Sequence, residues 1–148
     1  MYVGYQLTNI SRQKLMELFP PKYSRVFGHH ITTKFGTKKE EDIPGYTEDV
    51  KVVGYADTND GLEALVVSIN DDVRKENGDL FHITWSLNPE IYKPFDSNKV
   101  VKEHQVKVNP VPISVKPKMF TGKTPHIDRV VEDKCPDPTS FIDYLKRI

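Results

Sequence analysis

The chain is predicted to fold as an α+β domain with an antiparallel sheet, on three observations. Short runs of alternating apolar and polar residues, bounded by turn residues, recur along most of its length. Two of these runs, 50–56 and 62–70, flank Asp57-Thr58-Asn59-Asp60-Gly61, whose composition suits a hairpin loop. Helical spacing, in contrast, is confined to one stretch near residue 11 and one at the end of the chain. At 148 residues the sequence fits a single domain, 1–148, with room for a real core.

Residues 2–8 read as the first strand, with Val3, Tyr5 and Leu7 on one face and Gly4, Gln6 and Thr8 on the other. Ser11 is a reasonable N-cap for a helix in which Leu15 and Leu18-Phe19 recur at helical spacing and which Pro20-Pro21 stops. Residues 26–35 are rich in β-branched and aromatic side chains and read as one strand. The hairpin follows, and then a charged loop, 71–79, containing Asn77-Gly78 and leading into a strand at 80–87. Beyond Pro89 the frequent prolines leave room only for short elements such as 111–115. Phe141, Tyr144, Leu145 and Ile148 restore helical spacing, behind a Ser140/Asp143 capping pair.

Composition narrows the function. Twenty-one basic residues balance 21 acidic ones, whereas proteins that grip long nucleic acid carry a basic excess, so a small substrate is the expectation and no long nucleic acid is a partner. The single cysteine, Cys135, cannot form an internal disulfide, which fits a reducing, cytoplasmic setting. No apolar run is long enough to cross a bilayer, and the first residues lack a signal-peptide pattern, so no membrane partner is expected. Gly-rich phosphate loops and His-x-x-x-His metal spacing are absent from the sequence, and no metal or other cofactor is expected.

One tripeptide occurs twice, at His30-Ile31-Thr32 and His82-Ile83-Thr84, each within an expected strand. Strand alternation puts His30 with Thr32, and His82 with Thr84, on one face, while each isoleucine points the other way into the core. Cleavage of a phosphodiester beside a ribose 2′-hydroxyl needs a base, an acid and donors for the phosphoryl oxygens. Two histidines that titrate near neutrality can serve as base and acid, and two threonine hydroxyls can hold the oxygens. His30, Thr32, His82 and Thr84 are therefore the candidate catalytic groups.

The same alternation selects weaker candidates for substrate binding. Lys34 shares the parity of His30 and Thr32 and could neutralise a phosphate, and Gly28, with that parity too, would leave room. Ser86 shares the parity of His82 and Thr84. Tyr5 could stack on a base, although its alternation with Val3 and Leu7 suits a core position slightly better. Trp85 is sent away from His82, towards core or partner. His29 is assigned to the face opposite His30, and His104 and His126 lack a hydroxyl two places on.

Paired His-x-Thr motifs preceded by apolar strand residues, here Val26-Phe27-Gly28-His29-His30-Ile31-Thr32 and Leu80-Phe81-His82-Ile83-Thr84, resemble the signature of the two-histidine phosphoesterases. A narrower likeness covers about the first hundred residues. It runs through Leu7-Thr8-Asn9-Ile10-Ser11-Arg12, Gly28-His29-His30-Ile31-Thr32-Thr33-Lys34-Phe35, Gly61-Leu62-Glu63-Ala64-Leu65 and His82-Ile83-Thr84-Trp85-Ser86-Leu87, and is similar to the bacteriophage anti-CBASS cyclic-oligonucleotide phosphodiesterases. The resemblance implies a compact two-lobed fold with one motif from each lobe facing a cleft. It also implies metal-independent cleavage of 3′–5′ bonds in cyclic di- or trinucleotide messengers, in the cytoplasm of an infected bacterium, counteracting CBASS immunity. Opening of 2′,3′-cyclic phosphates at RNA ends, and non-catalytic sequestration of a cyclic nucleotide, remain open alternatives, as does the choice between monomer and homo-oligomer.

Overall fold

Residues 1–130 are described by a computed structural model. Cys135 and the helical pattern at 140–148 lie outside the described residues. The elements are β1 (Tyr2–Leu7), α1 (Asn9–Leu18), β2 (Arg25–Val26), β3 (His30–Phe35), β4 (Val50–Asp57), β5 (Leu62–Ile69), β6 (His82–Leu87), α2 (Ser97–His104), β7 (Gln105–Pro112), β8 (Val115–Phe120) and β9 (Ile127–Asp128). Among the described residues all strand pairs are antiparallel, in a three-stranded sheet of order β3-β1-β8 and a six-stranded sheet of order β7-β4-β5-β6-β2-β9. The α+β class with antiparallel sheets is thus as expected.

The main core lies between the sheets. Tyr5, Leu7 and Ile31 of the smaller sheet pack with Val50, Val52, Leu65, Val67, Ile83 and Trp85 of the larger one, and Leu15 of α1 closes the cluster. A second cluster forms on the opposite face of the larger sheet, where Val100 and Val101 of α2 cover Ala56, Ala64 and Val66. Burying this many apolar side chains, at roughly 25 cal/mol per Å2, contributes most of what holds the two layers together. Among the described residues, no helix is long and apolar enough to cross a membrane.

Three local expectations are corrected. The cap of α1 is Thr8, whose hydroxyl accepts from the Ser11 amide; Ser11 is buried and its own hydroxyl accepts from the Ser114 amide at 2.7 Å. That bond ties the start of α1 to the corner between β7 and β8, which falls inside the expected element at 111–115. Next, residues 26–35 are not one strand. Gly28 adopts φ 61°, and the chain there leaves the larger sheet, where the Phe27 and Gly28 amides donate to Trp85 and Thr84, for the smaller one, where the Leu7 amide donates to His29. Arg12 fixes the crossing by donating to the carbonyls of Phe27 and Gly28, both at 3.1 Å. A Cβ on Gly28 would sit 2.7 Å from Met16 Cε and 2.9 Å from Trp85, so the residue fills a tight seam and does not open room in a cleft.

Finally, the proline-rich region holds full-length elements. α2 packs only Ser97, Val100 and Val101, a stripe too short to stand out as a helical period. The strands β7 and β8 tolerate Pro110, Pro112 and Pro117 because each is the outermost strand of its sheet, where a missing amide leaves no ladder bond unmade.

Candidate active site

The two sheets meet where β3 lies against β6. Ile31 and Ile83 are both fully buried in the intersheet core, so the residues flanking them are turned to the other side of the seam. There His30, Thr32, His82 and Thr84 line one cavity of about 880 Å3, one motif from each sheet. Gly4, opposite Thr32, lets β1 lie close against the first motif's strand: a Cβ there would lie 1.9 Å from the Ile31 carbonyl oxygen.

The imidazoles are held in different ways. Nδ1 of His82 donates to the Leu80 carbonyl at 2.9 Å, which leaves Nε2 without the proton in the neutral ring. In contrast, His30 shares a 3.1 Å Nδ1-to-Nδ1 hydrogen bond with His29, so one of the two rings must donate and the other accept. His29 also lines the cavity, although strict alternation sends it away. The backbone crossing at Gly28 precedes it, so its side chain is not governed by the strand geometry of β3. Thr84 Oγ1 is hydrogen-bonded to the buried hydroxyl of Ser97 at 2.8 Å, at the start of α2.

Burial pushes His30 down to about 3, with further repulsion from His29, His82 and Lys75, and pushes His82 down to about 4 against the opposing Leu80 hydrogen bond. His29 is lowered as well, by burial and by the charges of Lys118 and Arg12. Lys75, from the loop before β6, is a cationic wall of the cavity whose own pKa burial lowers. Its nearby acid, Asp79, is engaged by Lys102 at 2.6 Å. The cavity therefore places neutral imidazoles beside Lys75; of the four carboxylates that also line it, Asp42 is paired with Lys34 and Asp79 with Lys102, while Glu41 and Glu76 are exposed to solvent. Among the described residues, no group of three or more His, Cys, Asp or Glu side chains is arranged to hold a metal ion.

The weaker candidates divide. Tyr5 is a core residue whose hydroxyl donates to the Gly45 carbonyl at 2.6 Å, and it does not line the cavity. Ser86 is turned away by a bulge. Ala64 stands opposite Thr84 but Glu63 stands opposite Ser86, so Trp85 is an extra residue on β6 and the alternation flips across it. The Ser86 hydroxyl is wholly buried, accepting from the Tyr23 amide and donating to Glu63 at 2.6 Å. Trp85 belongs to the core, its indole donating to the Phe19 carbonyl.

A second bulge displaces Lys34. Gly4 pairs with Thr32 and Val3 with Lys34, so Thr33 is extra on β3, and Phe35, not Lys34, stands opposite Tyr2. Lys34 still reaches the rim of the cavity, where it is exposed and paired with Asp42 at 3.3 Å. Sequence alternation missed His29, Lys75, Ser97, Phe35 and Phe95, all of which line the cavity or bond to a group that does. Of these, the charged loop before β6 was the one visible signal, since a basic residue there could fold back over the motif that follows.

Fold and cavity together define an α+β protein with two antiparallel sheets and a His/Thr-lined cleft between two identical tripeptides. The chain matches no family model, no curated protein and no solved structure.

Proposed function

We propose that the protein is a metal-independent phosphodiesterase that cuts the 3′–5′ bonds of cyclic di- or trinucleotides. What supports the reading is the convergence of His30-Ile31-Thr32 and His82-Ile83-Thr84, from two different sheets, on one cavity beside Lys75. One histidine takes the proton of the ribose 2′-hydroxyl, and the 2′-oxygen attacks phosphorus. The bond from phosphorus to the 5′-oxygen breaks as the other histidine protonates that oxygen, leaving a linear product with a 2′,3′-cyclic phosphate. The threonine hydroxyls and Lys75 hold the non-bridging oxygens as charge builds on them.

A phosphodiester anion in the cavity would raise both imidazole pKa values, which makes protonation of the acid a consequence of binding. In the setting that the sequence resemblance implies, the activity removes the messengers of bacterial CBASS immunity from the host cytoplasm. The test is incubation with EDTA and a cyclic dinucleotide panel, beside an oligoribonucleotide ending in a 2′,3′-cyclic phosphate, with products separated by chromatography. Linear dinucleotides from the panel support the reading. Cleavage of the oligonucleotide end alone would move the assignment to RNA-end processing, and binding without turnover to sequestration.

A further inference from the structure

We infer that Phe35 and Phe95 are paired stacking platforms for two nucleobases, one beside each His-Ile-Thr motif, so that the cavity takes a substrate with a base on either side of the scissile phosphate. This deepens the phosphodiesterase reading and rests on it.

Both phenylalanines are large apolar side chains left in solvent, 78% and 80% exposed, and both line the cavity. A scattered exposed aromatic needs no explanation. Two in the walls of the cavity that holds both His-Ile-Thr motifs, one from each sheet's side, do. Neither supports the core, so their cost in exposed apolar surface is offset only by something that covers them.

Their backbones are set for the task. Phe35 follows the extra residue Thr33 and thereby stands opposite Tyr2, whose ring stacks on it with centroids 6.0 Å apart and planes 13° from parallel. Tyr2 in turn lies 5.0 Å from the His30 ring and stacks on Phe120 at 5.0 Å. Phe35 is thus the outer member of an aromatic column that begins beside the first motif. Phe95 lies in the 3-10 turn Pro94–Asp96, which Asp96 closes by accepting from the Lys93 amide at 2.8 Å and Asn98 by donating to the Phe95 carbonyl at 3.0 Å. Two residues on, Ser97 bonds Thr84 of the second motif. Each platform is therefore tied to its own motif through one or two intervening side chains.

Flat apolar rings open to solvent bind the π-faces of bases with little selectivity between them. The same cavity is lined by both rings, by a lysine and by four His/Thr groups, and so combines two aromatic surfaces with anion-binding groups, the chemistry that two bases and the phosphate joining them require.

The test uses the full chain and a cyclic dinucleotide that carries 2-aminopurine and 2′-deoxyribose. Lacking the nucleophile, it cannot be cut, and stacking quenches its fluorescence. Dimethyl phosphate, followed by NMR shifts of the cavity histidines, probes the phosphate site without a base. Phe35→Leu and Phe95→Leu keep apolar bulk but remove the ring, and circular dichroism checks their fold. The expected result is quenching by the wild type, loss of part of it in each variant, and about 5- to 150-fold weaker dinucleotide binding per platform, with dimethyl phosphate binding unchanged. Variants that quench and bind as the wild type does, or that lose both probes equally, overturn the platforms, as does a wild type that binds dimethyl phosphate alone. A wild type that binds neither probe overturns the phosphodiesterase reading itself.

Discussion

The imidazole of His82 is locked to the carbonyl of Leu80, two residues back on its own chain, by a 2.9 Å hydrogen bond. The lock fixes the tautomer and aims Nε2 away from the backbone. It also favours the protonated ring, yet burial outweighs it and holds the pKa near 4.

From this follows a pH dependence that differs from a pair of ordinary histidines. With His30 near 3 and His82 near 4, the free protein holds one proton on the pair chiefly between those values. The logarithm of kcat/KM should therefore fall with a slope near −1 as pH rises from about 5 to 8, while kcat, which reports the anion-bound site, holds up to higher pH. A bell in kcat/KM centred near 6.5 would refute the assignment.

Stability should respond to the same groups. Both histidines bind protons more weakly folded than unfolded, so the unfolded state gains protons first as pH falls below about 6.5. Stability is then lost progressively down to about 3 to 4, at a rate approaching ~1.4 kcal/mol per pH unit for each histidine. Urea denaturation at pH 7 and pH 5 measures this, and His82→Gln should flatten the dependence.

Removal of either imidazole should lower kcat by about 10²- to 10⁴-fold. Thr32→Val and Thr84→Val should each cost about 10²-fold, with smaller effects on KM, because the hydroxyls act on charge that builds in the transition state. Steady-state kinetics on a cyclic dinucleotide separates the two. His30→Ala or His82→Ala with wild-type turnover would sink the mechanism.

Lys75→Met removes a charge that repels protons from both rings. NMR titration should show His30 and His82 moving upward towards their ordinary values, together with weaker binding of dimethyl phosphate. An unchanged titration would mean that Lys75 does not face the pair.

Gly28→Ala should destabilise the fold by about 2 kcal/mol or more, since φ 61° alone costs a side chain about 1–2 kcal/mol and the new methyl meets Trp85 and Met16. Glu63→Leu should cost about 3 kcal/mol or more. It strands the donors of Ser86, Tyr55 and the Lys22 amide, which Glu63 accepts at 2.6, 2.5 and 2.7 Å. Chemical denaturation reads both, and a near-neutral Glu63→Leu would show that those donors find water instead.

Much of this architecture was legible because alternation and turn chemistry act locally. The hairpin at 50–69, the first strand and the burial of Ile31 and Ile83 follow from which neighbours are apolar and which residues turn the chain. Lys34 and Ser86 depart from alternation for one shared reason. A bulge adds a single residue, Thr33 or Trp85, and reverses the face of everything beyond it, and no local composition marks where a strand will take one. Tyr5 was ambiguous on alternation alone, and only the sheet packed over it decides that it is core.

By itself, then, the sequence determined two identical tripeptides on strands, each with its histidine and threonine on one face and its isoleucine on the other. Alternation within three residues suffices for that. Only the tertiary structure decided that the two faces share a cavity, that His29 and Lys75 join them and that Phe35 and Phe95 line it too. Those relations depend on the crossing at Gly28, on the two bulges and on α2 packing beside Thr84. All are set by contacts between residues far apart in the chain, which no local pattern encodes.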